Sequence, residues 1–332
     1  MSKVAVIGAG SWGTAVSGLL VHSGQEVTLW GRDSALVETI NASGRNPRYL
    51  KDIQITKGVR ATSDLARALE NKEFIAVAVP SHAMRSAAVQ IADKCSGNPI
   101  IISLTKGIEI GTLERMSQII EETVKDAKVA VLSGPNHAEE ISLGIPSASV
   151  VAAQDNDVRA RVQELFMAPS FRVYTNKDVI GVEMAAATKN VIAIAVGISD
   201  GLGYGDNGRA ALMTRGLAEM TRLGTAMGAR PMTFAGLAGV GDLIATCTSR
   251  HSRNRAVGED IAKGRTVDES QAELGMIAEG IKTAEAVCEL AERFQIEMPI
   301  NQAVYEVIYQ GKDPSKCVSE LMNRGPAEED LG

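Results

Sequence analysis

The sequence predicts an α/β fold, with an N-terminal Rossmann-like, doubly wound and mostly parallel sheet followed by a C-terminal all-helical domain. Through residues 1–178, apolar runs typical of buried strands alternate with helical segments, as in parallel βαβ units. The late strands after Ser147 are expected as antiparallel additions, residues 41–48 as a polar loop and residues 53–56 as a short strand. From residue 179 onward, segments rich in Ala, Glu, Met and Leu indicate helices packed on one another. We therefore expect two domains, 1–178 and 179–332.

The first turn of the chain predicts the ligand of the first domain. An apolar run at residues 4–7 is followed by Gly8, Gly10 and Gly13, and then by a helical segment that reaches about His22. Strand, glycines and helix in this order form the dinucleotide fingerprint. The helix N-terminus offers N–H groups and a positive dipole end to the phosphates. Residues 1–178 are therefore predicted to form an NAD(P)-binding domain.

The end of the second predicted strand bears on the choice of cofactor. An NAD site usually has an acidic residue there, about 20 residues beyond the glycines, to bind the ribose hydroxyls. This chain has Arg32 followed by Asp33. Arg32 is suited to a 2′-phosphate, whereas Asp33 favours NAD if it turns inward, and both are solvated loop charges in a third interpretation. We expect NADP or NAD, with NADP favoured.

Composition excludes several classes of protein. The chain has 332 residues, of which 45% are hydrophobic, and a formal net charge of −6, which argues against a nucleic-acid partner. The four cysteines form no C-x-x-C pair, so neither a metal site nor a disulfide framework is expected. We also expect no signal peptide, no apolar run long enough to span a bilayer and a cytoplasmic location.

Polar residues follow two later strands of the predicted sheet. Lys106 comes after the apolar run 99–104, and Gly134 and Asn136 come after the run 129–133. The carboxyl ends of parallel strands form the edge where open α/β sheets bind ligands. Lys106 is therefore a candidate ligand-binding residue, although most lysines are surface groups.

The first helix of the second domain, predicted over 179–197, carries Lys189 on a largely apolar segment. A lysine there is costly unless it is paired, functional or able to extend its amine to solvent. Asp242, in a glycine-rich turn, is a candidate helix cap or a partner for a catalytic lysine.

Ser252, Arg253 and Asn254 lie in the densest cationic cluster of this acidic chain. Ser252 is a candidate N-cap, and the next two residues would then lie in the first helical turn. A guanidinium, an amide and backbone N–H groups at one point suit a phosphate. A solvated run of charges is the alternative.

These motifs together resemble the bacterial NAD(P)-dependent glycerol-3-phosphate dehydrogenase family over essentially the full chain. The most specific part is Lys189-Asn190-Val191-Ile192-Ala193, and the glycine turn, the Lys106, Asp242 and Arg253 regions and Glu279-Gly280 follow the family's order. The resemblance implies reversible reduction of dihydroxyacetone phosphate to sn-glycerol 3-phosphate for glycerophospholipid synthesis. It further implies that Lys189 transfers the proton, and it suggests a homodimer.

The resemblance also implies the site residues. The residues implied in substrate binding are Lys106, Gly134, Asn136, Lys189, Asp242, Ser252, Arg253 and Asn254. The residues implied in cofactor binding are Gly8, Gly10, Ser11, Trp12, Gly13, Arg32, Lys106, Ala138, Arg253, Ile277 and Glu279. Residues 179–332 thereby become the substrate-binding and catalytic domain.

Two departures and two alternatives remain at this stage. Thr188, directly before Lys189, stands where the family usually has an aliphatic residue. Asn136-His137 stands where the family commonly has Ser or Thr followed by Phe, which leaves local packing and cofactor preference open. One alternative is a related dehydrogenase acting on a β-hydroxyacid or sugar acid, which would not require the Ser252–Asn254 cluster. The other is a non-catalytic NAD(P)H sensor, which would need neither Lys189 nor Asp242.

Overall fold

The computed structural model describes residues 1–275, 277–326 and 328–329. Contacts along the chain define two compact units, which are described separately below. The first contains residues 1–105 and 116–179, and the second contains 106–115 and 180–332. The segment Lys106–Arg115 thus groups with the second unit, whereas the sequence-based division included it in the first domain.

The strands of the first unit are β1 (Lys3–Ile7), β2 (Glu26–Trp30), β3 (Arg45–Asn46), β4 (Leu50–Gln54), β5 (Arg60–Thr62), β6 (Phe74–Val77), β7 (Ile100–Ser103), β8 (Lys128–Ser133), β9 (Ser147–Ala152) and β10 (Phe171–Asn176). Eight of them form the main sheet, in the order β10-β9-β8-β7-β6-β1-β2-β5. Its helices are α1 (Ser11–His22), α2 (Ser34–Ser43), α3 (Leu65–Leu69), α4 (Met84–Lys94), α5 (Met116–Thr123), α6 (Ala138–Ser142) and α7 (Asn156–Phe166).

The central strands are buried on both faces. In β1, Val4 and Val6 belong to one hydrophobic cluster, while Ala5 and Ile7 belong to the cluster on the opposite face. Side chains alternate across a strand, so a continuous apolar run is what a sheet covered by helices on both sides requires. The predicted doubly wound sheet is confirmed.

Strand directions also agree with the prediction. Strands β5, β2, β1, β6, β7 and β8 pair in parallel, whereas β9 pairs antiparallel with β8. β10 in turn pairs in parallel with β9. The strands after residue 147 are therefore antiparallel additions to the parallel sheet.

The region between β2 and β5 differs from the prediction. Helix α2 continues to Ser43, and β3 and β4 form a small antiparallel hairpin where a loop was expected. β5, which was not predicted, forms the edge of the main sheet. Strands of two or three residues are too short to show a hydrophobic period, so the sequence signals them poorly.

The turn between β1 and α1 depends on two glycines. Gly8 has a φ of +119°, and a Cβ there would lie 2.5 Å from the Ala78 carbonyl oxygen. A Cβ at Gly13 would lie 1.8 Å from the Gly8 carbonyl oxygen. Both positions therefore exclude a side chain, which explains the tight turn and the close approach of helix to strand.

The second unit is helical. Its helices are α8 (Val179–Gly201), α9 (Gly205–Ala226), α10 (Pro231–Phe234), α11 (Asp242–Thr248), α12 (Arg253–Ala262), α13 (Val267–Leu274), α14 (Glu279–Phe294), α15 (Pro299–Gln310) and α16 (Pro314–Met322). A π-helical turn at Leu237–Gly241 leads directly into α11.

Helix α8 is the core helix of this unit. By length and composition it could cross a bilayer, so the expectation that no apolar run has that length was wrong. Yet 94% of its apolar window is buried inside the protein. A helix that is apolar all round and covered by neighbours is a core element, so its composition does not indicate membrane insertion.

Candidate active site

The first turn of the first unit has room for a ligand at Gly10. A Cβ at Gly10 would meet no atom within 4 Å, unlike one at Gly8 or Gly13. Gly10 is also the N-cap of α1 and has no side chain with which to cap it. The indole Nε1 of Trp12 is buried and has no hydrogen-bond partner among the described residues. Open space, an uncapped helix dipole and a buried donor fit a pyrophosphate-containing ligand.

The end of β2 shows how Asp33 is used. Its carboxylate caps α2 by accepting a hydrogen bond from the Leu36 amide at 3.1 Å, and it forms an ion pair with Arg48 at 2.9 Å. The Leu36 amide, and in addition Arg48, lower the pKa of Asp33. Arg32 is exposed beside it. Arg32 and Arg48 contribute two positive charges and Asp33 one negative charge. The end of β2 therefore has a net positive charge.

Asn136 is tied to the neighbouring strand. Its Oδ1 accepts a hydrogen bond from the Ser149 hydroxyl at 2.5 Å, while its Nδ2 is buried without a partner among the described residues. The amide thus presents an NH2 group whose two N–H donors have no partner among the described residues. His137 precedes α6 as its N-cap, and Ala138 begins that helix.

In the second unit, two lysines share one carboxylate. Lys189 Nζ lies 2.8 Å from Asp242 Oδ1, and Lys106 Nζ lies 2.6 Å from Asp242 Oδ2. Lys189 also donates to the Thr246 hydroxyl, which itself donates to Asp242 Oδ1 at 3.2 Å. Lys189 is 5% exposed and Asp242 is 2% exposed, so water screens these charges little. We call Lys106, Lys189, Asp242 and Thr246 the lysine–aspartate cluster.

The pKa of Lys189 is lowered to about 8 in this environment. Burial of the ammonium is the main cause; Asp242 opposes it, and the charge of Lys106 lowers the pKa further. Asp242 behaves differently: burial would raise its pKa, but the two neighbouring ammonium groups outweigh burial and lower it. Lys189 can therefore exchange a proton near neutral pH, while Asp242 stays ionised.

Local structure explains how Asp242 reaches this position. The π-helical turn Leu237–Gly241 ends directly before it, and such turns often occur at functional sites. Asp242 begins α11, but its side chain does not cap the helix, so the cap interpretation was wrong. Thr246 follows one helical turn later on the same face. Sequence reasoning missed Thr246, although its spacing of four residues from Asp242 was an available signal.

Two members of the predicted phosphate-binding cluster form structural contacts inside the second unit. Ser252 is the N-cap of α12 and accepts from the Arg255 amide at 3.3 Å, which confirms the predicted cap. Asn254 donates to Asn190 Oδ1 and accepts from the Gly280 amide, both at 2.9 Å. Asn254 thus ties α8, α12 and α14 together.

Arg253 is the exposed member of that cluster. Its guanidinium donates to the Ile277 carbonyl at 3.0 Å, at the first turn of α12. A guanidinium presents its N–H donors in a planar fork, a geometry that matches the oxygens of a phosphate.

The two units divide the predicted residues between them. The first unit contains Gly8, Gly10, Ser11, Trp12, Gly13, Arg32, Gly134, Asn136 and Ala138. The second contains Lys106, Lys189, Asp242, Ser252, Arg253, Asn254, Ile277 and Glu279.

Dehydrogenases that transfer hydride need a cradle for the dinucleotide and a group that exchanges a proton with the alcohol oxygen. The open turn at Gly10 in the first unit and the buried Lys189 in the second, with its pKa of about 8, fit these two requirements of a nicotinamide-dependent oxidoreductase. Residues 3–159 match the N-terminal profile of NAD-dependent glycerol-3-phosphate dehydrogenase, and residues 178–319 match its C-terminal profile. The chain belongs to this family, which confirms the predicted resemblance.

Full-length relatives and a solved structure agree. Glycerol-3-phosphate dehydrogenase [NAD(P)+] of Macrococcus caseolyticus is 48% identical over 99% of this chain and 100% of the relative. The enzyme of the same name from Clostridium perfringens is 48% identical, with 100% of both chains covered. The crystal structure of glycerol-3-phosphate dehydrogenase from Coxiella burnetii superposes with a TM-score of 0.94 at 37% identity, covering 97% of this chain and 99% of that one.

Proposed function

We propose that this chain reversibly reduces dihydroxyacetone phosphate to sn-glycerol 3-phosphate, with NADPH favoured over NADH and with Lys189 as the proton-transfer group. The predicted NAD(P)-dependent dehydrogenase activity is confirmed by the family profiles and the full-length relatives. The residue roles rest mainly on one observation: Lys189 is buried, paired with Asp242 and has a pKa of about 8. We further propose a cytoplasmic homodimer that serves glycerophospholipid synthesis.

In this proposal the domain 1–178 binds the cofactor and the domain 179–332 binds the substrate, with Lys106, which groups with the second unit, also acting on the substrate. The nicotinamide supplies or accepts the hydride. During reduction, protonated Lys189 donates a proton to the carbonyl oxygen as that oxygen gains charge, and during oxidation neutral Lys189 removes the hydroxyl proton. Lys106 stabilises the developing oxyanion through its positive charge. Asp242 keeps both ammonium groups together against their mutual repulsion.

The test is an absorbance assay for reduced nicotinamide with dihydroxyacetone phosphate, run in parallel with NADPH and NADH. We expect consumption of either cofactor only when the substrate is present, and faster consumption of NADPH. Folded protein that binds cofactor but consumes neither would overturn the proposed substrate. Size-exclusion chromatography with light scattering tests the homodimer.

Arg253→Ala is expected to raise the Michaelis constant for dihydroxyacetone phosphate. A hydrogen bond to a charged group contributes roughly 1.5–3 kcal/mol, so the increase should be about 10- to 100-fold. Steady-state kinetics measure it, with Arg250→Ala, an exposed residue of the same cationic run, as the matched control. Equal effects of the two variants would show general charge attraction and contradict a specific role for Arg253.

Arg48→Ala is expected to reduce the preference for NADPH. Without its ion pair, the carboxylate of Asp33 is no longer neutralised and repels a 2′-phosphate. We expect the ratio of kcat/KM for NADPH to that for NADH to fall about tenfold. Lys51→Ala, on the same hairpin and exposed, is the control. An unchanged ratio in Arg48→Ala, or an equal fall in Lys51→Ala, would contradict the assignment.

A further inference from the structure

The segment Lys106–Arg115, called the 106–115 loop here, is closed on itself. Ile108 and Arg115 form an antiparallel bridge between their backbones. Inside that bridge, the Glu109 amide donates to the Glu114 carbonyl at 2.9 Å, and the Leu113 amide donates to the Glu109 carbonyl at 2.9 Å. The backbone of Arg115 is therefore fixed relative to the backbone of Ile108, which lies two residues from Lys106.

Each end of the loop forms an ion pair within the second unit. Lys106 contacts Asp242, and the Arg115 guanidinium contacts the Glu183 carboxylate. Glu183 lies on α8, the same helix that carries Lys189. Helix α8 thus holds Arg115, at one end of the loop, through Glu183. The same helix carries Lys189, and Asp242, the partner of Lys189, holds Lys106 at the other end of the loop.

The pair of Arg115 and Glu183 is largely shielded from water. Its side chains are only 12% and 3% exposed, respectively. Buried ion pairs often add little net stability compared with apolar residues of similar volume, and their best-attested use is to select one arrangement. Here the selected arrangement is that of the 106–115 loop on α8.

We propose that Arg115 and Glu183 are positioning residues that hold Lys106 against Asp242. The inference rests on the proposed function, because Lys106 is assigned there to the substrate oxygen. Neither Arg115 nor Glu183 needs to touch substrate or cofactor in this role.

Loss of the pair has a consequence that purely structural damage would not produce. The groups that act on Lys189 are Asp242, Thr246 and Cys247 from α11 and Lys106 from the loop. Among them, Lys106 lowers the pKa of Lys189. If Lys106 moves away from Asp242, the pKa of Lys189 rises. The alkaline limb of dihydroxyacetone phosphate reduction, which needs protonated Lys189, then moves to higher pH.

The experiment compares Arg115→Met, Arg115→Lys and the double variant Arg115→Met/Glu183→Gln. The double variant removes both charges, so it leaves no lone buried carboxylate if the single variant fails to fold. Displacement of a catalytic group can reduce rates by up to ~10²-fold, and we expect kcat/KM of the double variant to fall about tenfold. Arg115→Lys, which keeps the charge, should recover part of this loss.

Chemical modification gives a readout that does not depend on turnover. Acetic anhydride labelling followed by mass spectrometry measures how accessible the Lys106 amine is. We expect labelling of Lys106 to increase several-fold in the double variant. Lys312→Met, which breaks ion pairs with Glu306 and Glu320 elsewhere in the second unit, should leave it unchanged.

The outcomes separate this inference from the proposed function. An inactive wild-type protein would overturn the proposed function, while labelling would still report on the loop. The inference is supported if the double variant shows more labelling of Lys106 and an alkaline limb at higher pH. In addition, the fall in kcat/KM and the shift of the alkaline limb should both disappear in a Lys106→Met background. It is overturned if a folded double variant keeps wild-type labelling and pH profile, or if its kinetic loss is equally large without Lys106.

Discussion

Lys189→Ala is expected to lower kcat for dihydroxyacetone phosphate reduction by at least ~10²-fold, the usual scale for loss of a general acid–base group. The ammonium is the only member of the lysine–aspartate cluster assigned to carry the transferred proton, and alanine cannot replace it. Cofactor affinity, measured by NADPH fluorescence titration, should stay close to wild type. Lys263→Ala, which removes an exposed lysine from the same unit, is the matched control and should keep wild-type turnover.

The pH dependence of the wild-type enzyme follows from the same residue. Reduction requires protonated Lys189, so its rate should fall as pH rises through about 8. Oxidation of sn-glycerol 3-phosphate requires the neutral amine and should rise over the same interval. Opposite limbs in the two directions would support Lys189 as the titrating group. Near-normal turnover of Lys189→Ala would remove the assignment altogether.

Asp242→Asn is expected to have the second largest effect, with kcat reduced by about 10²-fold or more. Asp242 raises the pKa of Lys189 against the effect of burial, so loss of the carboxylate lowers that pKa. A smaller fraction of Lys189 is then protonated at a given pH, so less of it can donate a proton during reduction. The alkaline limb should move to lower pH, opposite to the shift expected when Lys106 is displaced.

Stability provides a second measurement for Asp242→Asn. Removing one partner of a buried ion pair reduces the free energy of unfolding by about 3–5 kcal/mol, which urea denaturation detects. The control is Asp206→Asn, because the Asp206 side chain is 93% exposed. This variant should change kcat and the free energy of unfolding little. An alkaline limb in Asp242→Asn that stays in place or moves upward would contradict the electrostatic role of Asp242.

The sequence predicted those helices and strands that have a strong local pattern, such as a continuous apolar run or a glycine-rich turn. The run before Gly8 and the helix after it are β1 and α1, and the apolar segment from Val179 is α8, which extends to Gly201 instead of ending near Gly197. Strands β3 and β5, of two and three residues, were missed because so few residues carry no measurable period, and the strand predicted over 53–56 overlaps β4 only at Ile53 and Gln54. The grouping of the 106–115 loop with the second unit depends on contacts far along the chain, which no local pattern records.

The candidate site also depends on contacts between residues that are far apart in the sequence. Lys189 and Asp242 are 53 residues apart, and Lys106 and Asp242 are 136 apart. Sequence reasoning identified each as a candidate but left a snorkelling lysine and a helix cap as alternatives. Burial of Lys189 and the shared carboxylate exclude both. The site residues themselves stay predictions until the variants are measured.

The sharing of one carboxylate by two ammonium groups also has a thermodynamic consequence. An anionic substrate that binds beside them supplies the missing negative charge and raises the pKa of Lys189. Binding at a pH near 8 is then coupled to proton uptake from the buffer. The apparent enthalpy of binding should therefore depend on the ionisation enthalpy of the buffer, and affinity should weaken as the solution becomes more alkaline.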